Sequence, residues 1–217
     1  RRQVQLLVGS QEGTAHLPLA VLDPGDRALL LDPSYPSHRG GLVLAGASIC
    51  SLPLSRERDW LPDLDAIGPD LWDQLKLFVL GYPHNPTARV GDQELLDQAM
   101  ARGCRHQLVI ANDNPYVDLA LEGAAPSLLR RPGWRDWGIE FFSLSKGWGL
   151  GGFRLAFAIG AEPLITALRQ VKGVVDFNQS LALQQGAIQA LTRWADWPRS
   201  LNGVYRARRE RVLSVLR

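Results

Sequence analysis

The chain has 217 residues, of which 46% are hydrophobic and 21% are charged, and its formal net charge is +2. This length supports one large domain or two small ones with a substantial buried core. The small net charge gives no reason to expect nucleic acid or an acidic membrane surface as a partner. No apolar run reaches the roughly 18 residues of a membrane span, and no signal peptide pattern is present.

The two cysteines, Cys50 and Cys104, lie far apart and do not form a CxxC pair. This spacing favours neither a zinc site nor a disulfide framework, so we predict no metal site. A reducing compartment is the default for such a chain, and we expect a cytoplasmic protein.

Strand and helix patterns alternate along the chain. Short apolar runs bounded by turn residues predict buried strands at 27–32, 76–83, 107–113 and 139–145. Helical patterns are found at 10–22, 34–46, 91–102, 162–172, 180–194 and 205–217, with Ser10 as the expected N-cap of the first. The longest irregular segment is expected at 55–74. This alternation predicts an α/β fold with a mainly parallel sheet covered by helices on both faces.

Polar residues follow four of the predicted strands. They are Asp32 and Tyr35, then Asn85, then Asp113 and Tyr116, and finally Ser143, Ser145 and Lys146. Ligands of open α/β sheets bind outside the carboxyl ends of the strands. The sequence therefore predicts that these side chains converge on one crevice.

Three glycines in the stretch SLSKGWGLGGFRLAFAIG match the dinucleotide pattern G-x-G-x-x-G, namely Gly147, Gly149 and Gly152. That pattern requires a helix directly after the glycines, so that its N-terminus can hold a pyrophosphate. Here the apolar residues of 153–160 alternate as in a strand, although Asp176 stands near the distance of a ribose-binding acid. We interpret the glycines as a tight connection between two strands.

Lys146 lies one residue before these glycines, at the end of the apolar run 139–145. A lysine forms a Schiff base when its amine is held against a carbonyl and is partly neutral. Pyridoxal 5′-phosphate (PLP) supplies such a carbonyl. It also needs a carboxylate beside its ring nitrogen, donors for its 3-oxygen, an aromatic face and an anion site for its phosphate. The polar residues at the strand ends match these needs.

The stretch SLSKGWGLGGFRLAFAIG resembles the lysine signature of class I/II aminotransferases, which are fold-type I PLP enzymes. The segments YPHNPTARV, ANDNPY and VGSQEG resemble three further motifs of that family, in the same order and across nearly the whole chain. The run GSQEGTAHLPLAVLDPGD looks most like the LL-diaminopimelate and aspartate-type branch. The sequence departs from the family pattern at Ala88 and Ala156, where glycine is usual.

The resemblance implies roles for the residues around the cofactor ring. Lys146 would form the internal aldimine with PLP and later move the proton between the substrate α-carbon and the cofactor. Asp113 would pair with the pyridinium nitrogen. Asn85 and Tyr116 would hydrogen-bond the 3-oxygen, and Tyr35 would stack on the ring.

The resemblance also implies a phosphate site. Ser10 and Gln11 would offer donors at a helix start, Ser143 and Ser145 would add hydroxyl groups, and Arg154 would contribute its planar guanidinium. His84, next to Asn85, is interpreted as a local structural contact.

For the whole protein, the resemblance implies the three-layer large domain of fold-type I enzymes over residues 1–200, incomplete at its N-terminus. Residues 201–217 would begin the helix that leads to a C-terminal small domain. The ends of the chain, with no methionine at Arg1 and no helix stop before Arg217, suggest an internal piece of a longer protein. The substrate-carboxylate arginine and the N-terminal closing segment are expected outside this chain, so the piece alone is expected to be inactive.

The expected activity is transamination between an amino acid and a 2-oxo acid in a homodimer. Three alternatives remain open. The same cofactor site serves C–S β-lyases and acyl-transferring synthases, a PLP-fold domain can act as a sensing module without catalysis, and the piece can be an inactive fragment.

Overall fold

The computed structural model describes residues 2–216. Within that range, seven strands form a single sheet in the order β1-β7-β6-β5-β4-β2-β3, and only β7 runs opposite to its neighbours. The strands are β1 (Val4–Leu7), β2 (Arg27–Asp32), β3 (Ser48–Pro53), β4 (Leu75–Leu80), β5 (Val109–Asp113), β6 (Gly138–Ser143) and β7 (Ala156–Gly160).

Helices connect and cover these strands. They are α1 (Ser10–Val21), α2 (Pro36–Leu44), α3 (Pro69–Trp72), α4 (Gln93–His106), α5 (Trp134–Trp137), α6 (Leu144–Gly147), α7 (Glu162–Val175), α8 (Leu181–Arg193) and α9 (Trp197–Leu216). Short 3₁₀ turns occur at Leu64–Ala66, Val117–Leu119, Leu128–Arg130 and Gly151–Phe153. None of the helices within 2–216 is long and apolar enough to cross a lipid bilayer.

The sheet is buried on both faces, because successive residues of a strand point to opposite sides. In β2, Ala28 and Leu30 join a core with residues of α1, α2 and α7, such as Leu17 and Leu168. Residues Leu29 and Leu31 of the same strand join a second core that includes residues of α4. The predicted three-layer α/β arrangement is confirmed.

The structure differs from the sequence prediction in two strands. Strand β3 was not predicted, because it lies at the edge of the sheet and only Leu52 of its six residues is buried, which leaves a weak apolar pattern. The strand predicted at 139–145 ends at Ser143, and α6 follows it directly. The segment 55–74, expected to be irregular, contains one 3₁₀ turn and α3.

The last helix packs on the loop that follows β5. In α9, the Asn202 side chain donates to the carbonyl of Asp118 over 2.9 Å, and Arg209 forms a 2.9 Å ion pair with Glu122. Helix α9 continues without a break through positions 200 and 201. The domain boundary expected there stays a prediction.

A buried ion-pair cluster joins α1 to α7. The Lys172 side chain is only 2% exposed, and its Nζ lies 3.1 Å from Glu12 Oε2 and 2.5 Å from Asp176 Oδ1. His16 also lies near the Glu12 carboxylate, at 3.5 Å. Asp176, which resembled a ribose-binding acid in the sequence, is therefore engaged in this cluster. Lys172 is the cation of this cluster and compensates both carboxylates in the layer between the two helices.

Replacing Lys172 by methionine is expected to lower the free energy of unfolding by about 3–5 kcal/mol, because Glu12 would remain buried without its cation. Urea denaturation of the intact protein measures the loss. Arg199→Met is the matched control, since the Arg199–Asp196 pair has side chains 86% and 85% exposed. We expect no measurable loss in that control. Equal losses in the two variants would contradict a stabilising role for the buried pair.

Candidate active site

One cleft, enclosing about 750 Å³ that is partly open to solvent, lies at the carboxyl ends of the parallel strands. It is lined by the ten residues to which the family resemblance assigns cofactor roles: Ser10, Gln11, Tyr35, Asn85, Asp113, Tyr116, Ser143, Ser145, Lys146 and Arg154. Asp32, which was also expected in this crevice, is exposed at the end of β2 and does not line it. The cleft is also lined by four residues that were not predicted, namely His38, Gly81, Pro83 and Pro115. The structure therefore brings together side chains from five separate segments of the chain.

Asp113 is the buried carboxylate of the cleft. It is the last residue of β5 and is 6% exposed. Nε2 of His38, on α2, lies 3.0 Å from Asp113 Oδ2, and His38 is itself 5% exposed. The other carboxylate oxygen, Oδ1, is buried and has no hydrogen-bond partner within residues 2–216. Since buried carboxylate oxygens are normally paired, Oδ1 is the natural acceptor for a donor on a ligand.

His38 was not predicted from the sequence, because its contact with Asp113 joins residues 75 positions apart. One indication was available. His38 follows Tyr35 by three residues in the segment DPSYPSH, so a helix beginning at Pro36 carries it toward the same edge of the sheet as Tyr35. The two rings meet edge to face, with centroids 5.8 Å apart.

Tyr116 keeps its proton well into the alkaline range. Burial raises the pKa of its phenol, the nearby Asp113 and Tyr35 raise it further, and the Asn85 amide beside it acts in the opposite direction. A neutral phenol can donate a hydrogen bond to an anionic oxygen of a ligand.

Lys146 is presented by α6, a single helical turn between β6 and the glycine-rich segment. The Ser143 hydroxyl caps this turn by accepting from the backbone N–H of Ser145 at 3.2 Å. Lys146 Nζ lies 5.9 Å from the centroid of the Tyr116 ring. No carboxylate within residues 2–216 forms an ion pair with this amine, so it is available to a ligand.

The first turn of α1 forms the end of the cleft where the anion-binding site is predicted. Its N-cap is Gly9, with φ 77°, and not Ser10 as predicted, because only glycine adopts this backbone conformation readily. Ser10 consequently lies inside the first turn, where backbone N–H groups have no partner within the helix. A Cβ at Gly9 would overlap the guanidinium of Arg154. The arginine thus packs against the start of the helix, where an anion would be bound.

Two further predictions concern residues near the cleft. His84 is buried, its Nδ1 and the Thr87 hydroxyl share a local 2.7 Å hydrogen bond, and burial lowers its pKa. The glycines at 147, 149 and 152 lie in the connection between β6 and β7, which pair antiparallel. No helix follows them directly, since Gly151–Phe153 is a 3₁₀ turn that leads into β7. The interpretation as a connection between two strands is confirmed, although this connection is not a tight turn, because it includes α6 and the 3₁₀ turn.

Comparison with known proteins places this geometry in a family. Residues 1–212 match the profile of aminotransferase class I and II. The LL-diaminopimelate aminotransferase of Dehalococcoides mccartyi is 38% identical over 216 residues, which cover 99% of this chain and 56% of that protein. The glutamate-pyruvate aminotransferase AlaC of Escherichia coli is 37% identical over 210 residues, covering 96% of this chain and 51% of that protein.

A solved structure agrees with these relatives. A probable N-succinyldiaminopimelate aminotransferase from Thermus thermophilus superposes with a TM-score of 0.90 and 41% identity, over 95% of this chain and 55% of that one. The fold is shared with this aminotransferase, and the chain belongs to the aminotransferase class I and II family. It spans about half the length of the curated relatives it matches.

Gly9→Ala tests the anion-binding end of the cleft. The added methyl group would displace the Arg154 guanidinium, so the affinity for inorganic phosphate or PLP should fall by roughly tenfold or more, the value of a charge-assisted hydrogen bond. Titration of the intact protein measures the change. Gly25→Ala is the control, because Gly25 also has a positive φ, 95°, but a Cβ there meets no atom within 4 Å. Equal affinities in the two variants would contradict an anion site at α1.

Proposed function

We propose that the intact protein is a PLP-dependent aminotransferase, which transfers an amino group from an amino acid to a 2-oxo acid. The observation that carries the proposal is the cleft itself, where a free lysine amine, a buried carboxylate oxygen without a partner and an anion-binding helix end occur together. The class I and II family implies the PLP cofactor.

The residues present fit this cofactor at each of its polar groups. Asp113 Oδ1 is buried and unpaired, as required of an acceptor for a protonated ring nitrogen. The ring of Tyr35 and the phenol of Tyr116 line the same cleft as Asn85. The first turn of α1 and Arg154 provide donors for a phosphate.

Bound PLP would supply an aldehyde that links covalently to an amine, and a protonated ring that draws electrons from the substrate α-carbon. The chain supplies the groups that control this chemistry. Lys146 would hold the cofactor in the resting protein, and its released amine would then move the proton at the substrate α-carbon. Its position on a capped turn beside Tyr116 keeps it at the mouth of the cleft.

Asp113 would keep the ring nitrogen protonated through Oδ1. His38 occupies Oδ2 at 3.0 Å, which orients the carboxylate so that Oδ1 remains free for the ligand. Tyr116 and Asn85 would bind the ring oxygen, with the Tyr116 phenol neutral because burial raises its pKa. Ser10, Gln11, Ser143, Ser145 and Arg154 would hold the phosphate.

Further proposals concern the whole protein. We infer a large domain over residues 1–200, a small domain after the helix that includes 201–217, and a homodimer. Exposed apolar side chains near the end of the chain support contacts with a second domain or a second subunit. Phe177 is 80% exposed, Leu181 69% and Trp194 65%. The unpaired cysteines support a cytoplasmic location. The names of these relatives make LL-diaminopimelate and glutamate the first amino donors to test, and pyruvate the first acceptor.

Covalent trapping tests the proposal directly. The chain has three lysines, Lys76, Lys146 and Lys172. Incubation of the intact protein with PLP, borohydride reduction and peptide mapping should place the adduct on Lys146, since Lys76 lies outside the cleft and Lys172 is buried in an ion-pair cluster. Lys146→Ala should abolish both the adduct and turnover, and Lys76→Ala should change neither.

The product distinguishes the alternatives. A 2-oxo acid formed together with the aminated acceptor supports transamination, whereas ammonia with pyruvate indicates a β-lyase and a condensed amino ketone indicates a synthase. An adduct on Lys146 without turnover of any amino acid indicates a sensing module. No adduct, or one on another lysine, would overturn the assignment of Lys146.

A further inference from the structure

Glu140 is a buried acid that the proposed chemistry does not use. It lies in the middle of β6 and is 0% exposed. No lysine or arginine within residues 2–216 forms an ion pair with it, and burial raises the pKa of its carboxyl. A carboxylate in such a place is costly unless several donors hold it.

Four donors approach the Glu140 carboxylate. Asn112 Nδ2 and Asn114 Nδ2 both donate to Oε1, at 2.8 and 2.9 Å. The Ser127 hydroxyl donates to Oε2 at 2.6 Å. These hydrogen bonds and the nearby backbone N–H of Leu128 lower the pKa of the carboxyl, against the larger opposite effect of burial.

The two asparagines flank Asp113 in sequence. Asn112 pairs with Glu140 across β5 and β6 and shares its face of the sheet, while the Asp113 side chain lies on the opposite face with His38. A single oxygen atom of Glu140 therefore holds the residues on both sides of the carboxylate that faces the cleft. Rotation or translation of this part of the chain would break two hydrogen bonds at once.

The same network reaches a second strand end. Asn112 Oδ1 accepts from the backbone N–H of Tyr82 at 3.1 Å, just after β4. Tyr82 lies between Gly81 and Pro83, both of which line the cleft. Since β6 itself carries Ser143 and leads to Lys146, Glu140 connects the ends of β4, β5 and β6, which together supply most of the cleft.

We propose that Glu140 is a positioning residue of the active site, which sets the ends of these three strands relative to one another and so places Asp113 and Tyr116 opposite Lys146. This inference rests on the proposed function, because it assigns Glu140 to the support of the PLP site. Glu140 does not touch the ligand.

Two substitutions separate positioning from other roles. Glu140→Gln keeps an acceptor for Asn112 and Asn114 and can donate to the Ser127 hydroxyl, so it should bind PLP within about threefold of the wild type. Glu140→Leu has a similar size but leaves all four donors unpaired. It should bind PLP at least about tenfold more weakly. When the visible absorbance of the bound cofactor is followed as the pH is varied, the midpoint of the titration should shift.

Leu96→Ala is the matched control. Leu96 is fully buried in α4, in the core on the same side of the sheet as Asn112, but it belongs to no strand end. Its truncation destabilises the fold and should leave the PLP affinity and the spectral midpoint unchanged. If Glu140→Leu behaves like Leu96→Ala in both measurements, Glu140 has a purely structural role and the inference is wrong.

Amide hydrogen exchange in the intact protein tests the inference without the cofactor. Glu140→Leu should increase exchange in the segments 81–85 and 113–116 more than Leu96→Ala does, whereas Glu140→Gln should not. Absence of this difference would overturn the positioning role. If the wild type forms no PLP adduct on Lys146, the proposed function fails, and the exchange measurement still decides whether Glu140 positions the strand ends.

Discussion

Strands β2, β4, β5 and β6 run in the same direction, so the chain leaves each of them at the same edge of the sheet. Residues that are distant in sequence become neighbours there, as His38 and Asp113 do across 75 positions. The rigid sheet fixes the strand ends, and the loops that follow need to place only one or two side chains each. The convergence of the cleft depends on this alignment more than on any single contact.

The buried carboxylates of the protein differ in how completely they are paired. Lys172 compensates Glu12 beneath the anion-binding turn, and Glu140 is surrounded by four donors. Asp113 is different, because His38 satisfies one oxygen and the other has no donor within residues 2–216. Full pairing suits a group that supports the structure, whereas half pairing suits a group that binds a ligand.

The sequence predicted the layers and ten of the residues that line the cleft, because alternating apolar patterns and strand-end motifs are local properties. It missed the edge strand β3, whose residues are too exposed to form a clear pattern. It also placed the N-cap at Ser10, since the positive φ of Gly9 cannot be read from composition. His38 and Glu140 were not predicted for another reason. Both make their contacts with residues that are distant in sequence, and only the spacing of His38 from Tyr35 gave an indication.

The reversed direction of β7 explains how one short segment contributes twice to the cleft. Ser143, at the end of β6, and Leu7, at the end of β1, both pair with Ala156, where β7 begins. The connection from β6 to β7 therefore leaves and re-enters the sheet at the same edge, carrying Lys146 on the way out and Arg154 on the way back. A parallel crossover would have brought Arg154 to the opposite edge. Because β1 ends beside β7, Arg154 meets the Gly9 turn, and the antiparallel strand thereby completes the anion-binding end of the cleft.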